Sequence, residues 1–333
     1  MNGSVMDIML IAHWSGSGKV FASKLSSWSD DLSFRFVAAT LQAGQSQCRT
    51  YRYAIFNQQS SDGGMLDAIY VGTTSNNSAT DYNRLRLEYD YDSFANLKTL
   101  REGFNAGSVV THDFTYDAYN RLLTAFGYAY AYDTAGRITS YEGVALGYDS
   151  VKKHAVNTVG GTDRYDYDAN GNVKLRNKGL SSQQTLVWDV AGALRAHLVS
   201  VSASGLSESY DYNEHGIRVR KVSNGATTLY PFAHYEVDNG VIVKYYFFGG
   251  QRVAMKRGTG AITYLHQDHL SSTALSTTSS GAFDVGQGYR GYGNYRTGGS
   301  LPTVPEVGAK RQHRYTGQKL PPNFGGIHGR CMI

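Results

Sequence analysis

A five-residue unit recurs through the middle of this chain: an aromatic residue, Asp or Asn, two variable residues, then Gly or Asn. It occurs as Tyr116-Asp117-Ala118-Tyr119-Asn120, as Tyr132-Asp133-Thr134-Ala135-Gly136 and as Tyr167-Asp168-Ala169-Asn170-Gly171. Two further copies are Trp188-Asp189-Val190-Ala191-Gly192 and Tyr212-Asn213-Glu214-His215-Gly216. Tyr91-Asp92 and Tyr148-Asp149 read as degenerate copies without the glycine. The aromatics stand at 91, 116, 132, 148, 167, 188 and 212, so the gaps are 25, 16, 16, 19, 21 and 24 residues. Self-similarity of this kind constrains a fold more than any other sequence signal.

The unit has a direct conformational reading. Asp at the first position of a type I turn accepts from nearby backbone N–H groups, and glycine three residues later takes the left-handed exit. Asn120 fits the same slot, because Asn tolerates that region. An apolar residue follows each turn, at Leu122, Ile138, Val173 and Leu194. The spacing accommodates two strands of about 5–6 residues and their connections. The intervening segments alternate with period two, as half-buried strands require. Leu85, Leu87, Tyr89 and Tyr91 share one face, with Arg86, Glu88 and Asp90 on the other. Tyr128, Tyr130 and Tyr132 alternate with alanines, and Val241, Val243, Tyr245 and Phe247 form another stripe. The composition agrees: 26 tyrosines suit half-buried sheet surfaces, and 38 glycines against 5 prolines suit many tight turns. The expected fold class is all-β.

Several function classes find no support. A net charge of +5 is spread without a basic run, which reads as a solvated surface and not a nucleic-acid stripe. No stretch of 18 apolar residues occurs, so no transmembrane helix is expected, and the segment Val5–Ala12 makes a poor signal peptide. Cys48 and Cys331 suggest neither a disulfide framework nor a metal site. Gly16-Ser17-Gly18-Lys19 hints at a phosphate loop, but His13 stands where a glycine is needed and Val20 replaces Ser or Thr. No Gly-x-Ser-x-Gly elbow occurs. His266 and His269, flanking Asp268, could ligate a metal, although strand geometry would send their imidazoles to opposite faces. No cofactor is expected.

Beyond the bare repeat, a series of landmarks resembles the RHS/YD-repeat family, which includes toxin-complex C components and teneurins. The block from His154-Ala155-Val156 through Tyr165-Asp166-Tyr167-Asp168-Ala169-Asn170-Gly171-Asn172 is similar to its repeat. Tyr246-Phe247-Phe248-Gly249-Gly250-Gln251-Arg252 is similar to the strand entering its core region. His266-Gln267-Asp268-His269-Leu270-Ser271-Ser272 resembles the core signature, with Ser271 where glycine is usual. Tyr289-Arg290-Gly291-Tyr292-Gly293 and Arg314-Tyr315-Thr316-Gly317-Gln318 resemble the next landmarks, in family order. The resemblance covers about residues 82 to 320. It implies a β-sheet that coils into part of a hollow shell, which in the family encloses a toxic C-terminal domain, and a secreted or cell-surface location. The chain's departures from the family pattern lead to the expectation of a shell part without a toxin domain. It also implies a division into an irregular β-rich segment at 1–81, repeats at 82–240, an incomplete core at 241–320 and a divergent tail at 321–333.

The departures shape the functional expectation. After Lys319-Leu320 the chain runs Pro321-Pro322-Asn323-Phe324-Gly325-Gly326 and on to Ile333, and no aspartate follows Asp284. The carboxylates that the resemblance would place at a self-cleavage site are missing, so the chain reads as a truncated remnant or a cargo-free orphan. The expected role is a non-catalytic encapsulation wall. Its partners would be the remaining shell or a C-terminal effector polypeptide. The rival reading is a cell-surface module holding carbohydrate on exposed tyrosines such as Tyr128 and Tyr130. A hydrolase or self-cleaving protease ranks last.

Overall fold

A computed structural model describes residues 65–72, 83–189, 196–248 and 250–296 in full, and the strands between residues 9 and 54 by their backbone. Every regular element among these residues is a strand. The chain divides into two compact units, one formed by Met1–Gly127 with Ala261–Gly329, the other by Tyr128–Gly260 with Arg330–Ile333.

The first unit opens with β1 (Met9–His13), β2 (Val20–Leu25), β3 (Ser33–Gln42), β4 (Gln45–Ala54), β5 (Leu66–Gly72), β6 (Leu85–Tyr91), β7 (Leu97–Phe104) and β8 (Val110–Asp113). These eight form one antiparallel meander, each strand pairing with its neighbours in sequence. β9 (Thr115–Tyr116) and β10 (Leu122–Ala125) make a hairpin. The second unit holds β11 (Tyr128–Tyr132), β12 (Ile138–Tyr141), β13 (Val144–Tyr148), β14 (Val156–Val159) and β15 (Thr162–Asp163), again paired in order. There follow β16 (Tyr165–Tyr167), β17 (Val173–Arg176), β18 (Gln184–Asp189), β19 (His197–Ala203) and β20 (Leu206–Tyr212). β21 (Arg218–Ser223), β22 (Ala226–Phe232), β23 (Tyr235–Asp238), β24 (Val241–Phe248) and β25 (Gln251–Arg257) complete a ladder that runs unbroken from β16. The first unit resumes with β26 (Ile262–Gln267), β27 (Thr273–Thr277) and β28 (Phe283–Gly286), then the hairpin of β29 (Gly288–Tyr289) and β30 (Tyr295–Arg296).

Period two sets which side chains are buried. In β6, Leu85, Leu87 and Tyr89 are buried while Arg86 and Asp90 stay half-exposed. In β18 to β20, Leu186, Val201 and Tyr210 form a core packed by Trp188, Leu198, Leu206 and Tyr212. The stripe of β24 is buried only in its middle: Val243 and Tyr245 are inside, whereas Val241 and Phe247 reach solvent. Glu88 departs from the alternation, buried on the side expected to be polar. It can be, because Tyr70 and Arg86 hydrogen-bond its carboxylate at 2.6 and 2.7 Å.

Each repeat unit forms a corner between two strands. The Asp133 N–H donates to the Arg137 carbonyl at 2.9 Å, and the Gly136 N–H donates to the Asp133 carbonyl at 3.0 Å. This is a type I turn followed by a left-handed residue and a bulge. The Asp133 carboxylate accepts from the N–H groups of Ala135 and Arg137, both at 2.9 Å. Asp117, Asp168 and Asn213 make the same pair of side-chain bonds in their own corners. The ladder register shifts beside the aromatic in each case, for example between Ala131 and Tyr132 and between Asp166 and Tyr167.

Two corners differ from the sequence reading. Tyr91-Asp92 is a complete corner: Asp92 makes every one of these bonds, and Ala95 occupies the left-handed slot at φ 64°. The aspartate clamp holds the backbone there without glycine. At Asp149 the corner widens, with its N–H reaching the Ala155 carbonyl at 2.8 Å. Residues 190–195, including Gly192 and Leu194, lie outside the described residues, as do Gly16 to Lys19, the side chain of Cys48, Cys331, and the tail from 297 onward.

The left-handed slots give a stability prediction. Gly171 sits at φ 87° with open space where a Cβ would go, so Gly171→Ala should cost backbone strain alone, about 1–2 kcal/mol. Ser271 sits at φ 63°, so Ser271→Gly should instead stabilise by about 0.5–1 kcal/mol. Urea denaturation midpoints of the two variants against the parent chain check both signs.

Candidate functional site

The chemistry of the repeat lies in how one corner is tied to the next. The Tyr116 hydroxyl donates to the Leu97 carbonyl at 2.9 Å, and Leu97 immediately follows the Asp92 corner. Tyr148 donates to Ile138, just past the Asp133 corner, at 2.8 Å. Trp188 uses its indole N–H for the same purpose, reaching the Val173 carbonyl past the Asp168 corner at 2.7 Å. Tyr91, Tyr167 and Tyr212 donate to Leu66, Val156 and Leu198. Each polar tip thus satisfies a carbonyl on an earlier strand, a bond worth about 0.5–1.5 kcal/mol. Phenylalanine could fill the ring's space but not make the bond. Burial pushes the Tyr116 phenol up to about 12 and raises that of Tyr212, so both remain protonated donors.

Side chains also bridge neighbouring corners. The Asn96 amide donates to Asn120 at 2.9 Å, and Arg137 reaches the Lys153 carbonyl at 2.7 Å. Within corners, Arg121 pairs with Asp117 at 2.6 Å and Arg137 with Asp133 at 2.7 Å. The backbone donor from Arg137, joined by its side chain, holds the Asp133 carboxyl below the usual aspartate range.

Inside the first unit, the returning segment 261–296 is fastened to strands some 180 to 197 residues earlier. Arg84 Nε donates to the Gly281 carbonyl at 2.7 Å. Tyr89 and His269 meet edge to face at 4.8 Å, with the phenol 3.2 Å from Nδ1. Phe104 lies against Gly286, where a Cβ would come within 2.8 Å of the ring. Residues 263–267 of β26 and all five residues of β27 are buried on both faces, so neither strand alternates in polarity.

His266 and His269 do not share a strand, contrary to the expectation from their spacing, because β26 ends at Gln267. His266 ends inside β26, bonded to Thr277 at 3.0 Å, while Asp268 opens a corner that carries His269 away toward Tyr89. The Asp268 carboxylate accepts from the N–H groups of Leu270 and Ser272 at 2.8 and 2.9 Å. Burial raises the Asp268 carboxyl and lowers the His269 imidazole, favouring the neutral form of each. Gly317 and Gln318 lie outside the described residues. Tyr130, expected to offer a ring to sugars, is 3% exposed and packs edge to face on Tyr141 at 5.6 Å. It has no free face for a ligand.

A charged fastening is made by Arg296. Its guanidinium grips both carboxylate oxygens of Glu102, one at 2.6 Å, and lies 4.5 Å over the Phe126 ring. His112 Nε2 is 2.9 Å from the same carboxylate. Burial alone would raise the Glu102 carboxyl, but the His112 and Arg296 hydrogen bonds outweigh it and hold the group below its ordinary 4.5. Sequence reasoning passed over Glu102, His112 and Arg296, because nothing local marks residues 184 or 194 positions apart as partners.

No family model matches this chain, and no curated protein does. Solved structures do match. The TcdB2–TccC3 crystal structure aligns at a TM-score of 0.61 and 15% identity, over 94% of this chain and 21% of that one. The TcdB2–TccC3–Cdc42 crystal structure aligns at 0.59 and 15%, over 94% and 20%. The Tc holotoxin pore of Photorhabdus luminescens, with an altered TccC3, aligns at 0.56 and 14%, over 83% and 18%. The chain spans about a fifth of those lengths, and what it shares with them is the fold.

Removing one partner of a buried ion pair typically costs about 3–5 kcal/mol, the expected loss for Arg296→Ala. Because the folded pKa of Glu102 is depressed, its contribution is complete above 4.5 and disappears as pH falls through the folded value. Thermal melts of the parent chain and Glu102→Gln, run from pH 7 downward, should therefore converge at acid pH.

Proposed function

We propose, from the RHS/YD-repeat fold that this chain shares with toxin-complex proteins, that it is a non-catalytic segment of an encapsulating wall. The observation that carries this reading is the run of corner ties. Tyrosine or tryptophan tips bond back to an earlier strand at Tyr91 and Tyr116 in the first unit and at Tyr148, Tyr167, Trp188 and Tyr212 in the second, so that within each unit a repeat is tied to the one before it. Such a device builds surface and leaves the repeat aspartates fully engaged as turn acceptors. The partners are the remainder of the shell, or an effector polypeptide held against the wall.

The division proposed for the chain follows the same reading. Residues 82–240 supply repeats and 241–320 the core region. Residues 1–81 extend the wall upstream, and 321–333 form a divergent tail. The contacts of Arg84, Tyr89 and Glu102 with Gly281, His269 and Arg296 support a core that fastens back onto repeats.

A wall segment leaves strand edges unpaired, and β1 stands at one end of its eight-stranded sheet. Unpaired edges recruit other chains. In size-exclusion chromatography with light scattering, the purified chain should run as dimers or larger species; a monodisperse monomer would count against the wall. Intact mass should also stay constant on prolonged incubation, and a discrete cleavage product would contradict the non-catalytic assignment.

A further inference from the structure

The solvent-facing side of the second unit changes character along its ladder. Across β18 to β20 it presents Thr185, Ser202 and Ser207 in one cross-strand row, and Val187, Ser200 and Ser209 in the next. That is an ordinary hydrated surface. Four strands later the corresponding row is Leu229, Val237 and Ile242, directly opposite one another on β22, β23 and β24. Leu229 and Ile242 are each 40% exposed, and Phe232 beside them is 66% exposed.

Two residues along the strands lies a second row: Tyr235, Lys244 and Lys256, again directly paired. Like charges placed opposite each other on a sheet are destabilising. The nearby carboxylates are committed elsewhere. Asp238 binds Arg257 at 2.6 Å, Asp211 binds Arg220, and Glu236 is buried on the other face against Tyr245 at 2.7 Å. Among the described residues, neither Lys244 nor Lys256 has an ion-pair partner. An apolar row and an unneutralised lysine pair therefore lie side by side on one exposed face.

We infer that this face of β22 to β25 docks an extended acidic polypeptide segment from a partner. The spacing fits. Alternate side chains of an extended strand are about 7 Å apart, the distance between the two rows. A segment lying along the strands sets one apolar side chain on the Leu229–Val237–Ile242 row and its next same-side residue, Asp or Glu, between Lys244 and Lys256. A second copy of the chain is a poor occupant, since this chain is itself cationic, with 32 basic against 27 acidic residues. An anionic membrane is also a poor fit, because such surfaces recruit clusters of about 4–8 basic residues. The inference stands apart from the wall reading and survives or fails without it.

The probe is a fluorescein-labelled octapeptide carrying leucine and glutamate alternately at every second position, with serine between. Fluorescence anisotropy with the full chain should show saturable binding, weakened about tenfold in Ile242→Ser and in Lys244→Glu combined with Lys256→Glu. Lys256→Glu alone places opposite charges across the ladder. It should lose affinity while its melting temperature rises by about 1 °C, which separates lost docking from lost folding. The proposal is overturned by absence of saturable binding, by equal affinity for a peptide with lysine in place of glutamate, or by affinity indifferent to the charge variants. Sedimentation of the chain with phosphatidylserine vesicles, in the absence of octapeptide binding, would overturn it in favour of a lipid surface.

Discussion

The structure depends on one recurring bond, the one from an aromatic tip to the carbonyl just beyond an earlier corner. A β-bulge at each corner bends the strand and disturbs the ladder locally. An unpaired backbone carbonyl in a half-buried position is costly. The tyrosine hydroxyls of residues 116, 148 and 212, and the indole of Trp188, settle that cost while their rings cover the neighbouring strand. A corner without its aromatic would leave the previous one open, so the units are coupled in series. This explains why the repeat tolerates gaps from 16 to 25 residues. What must be conserved is the reach of a side chain to the strand beside it, not the length of the loop between.

That coupling also explains what could be read in advance. The corners were legible because their chemistry is local: an aspartate that clamps the N–H groups two and four residues ahead needs only a five-residue window. The all-β class followed from the same window and the alternation between copies. Asp92 shows where a local rule was too strict. By sequence it is a degenerate copy without the glycine, yet the carboxylate bonds to Phe94 and Asn96 hold Ala95 at a positive φ. The fastening of Arg296 to Glu102 had no local signature, because it joins residues 194 positions apart. Nor did the burial of β26 and β27 on both faces announce itself, since period two disappears when neither side meets water.

A long meander of similar strands faces a hazard of its own. Tyr89-Asp90-Tyr91, Tyr165-Asp166-Tyr167 and Tyr210-Asp211-Tyr212 are interchangeable by pattern, so a strand could pair one repeat out of place with little loss of apolar burial. The buried polar groups distinguish them. Glu208 takes Lys221 at 2.8 Å, Ser223 at 2.9 Å and the Tyr210 hydroxyl, while Glu236 takes Tyr245. Burying such charges rarely adds stability over apolar packing of the same volume. It does make each register unique, because a strand shifted to another site would strand a carboxylate without a cation or a hydroxyl. On this argument the apolar rings and corner ties supply cohesion common to all repeats, and the scattered ion pairs decide which strand sits beside which.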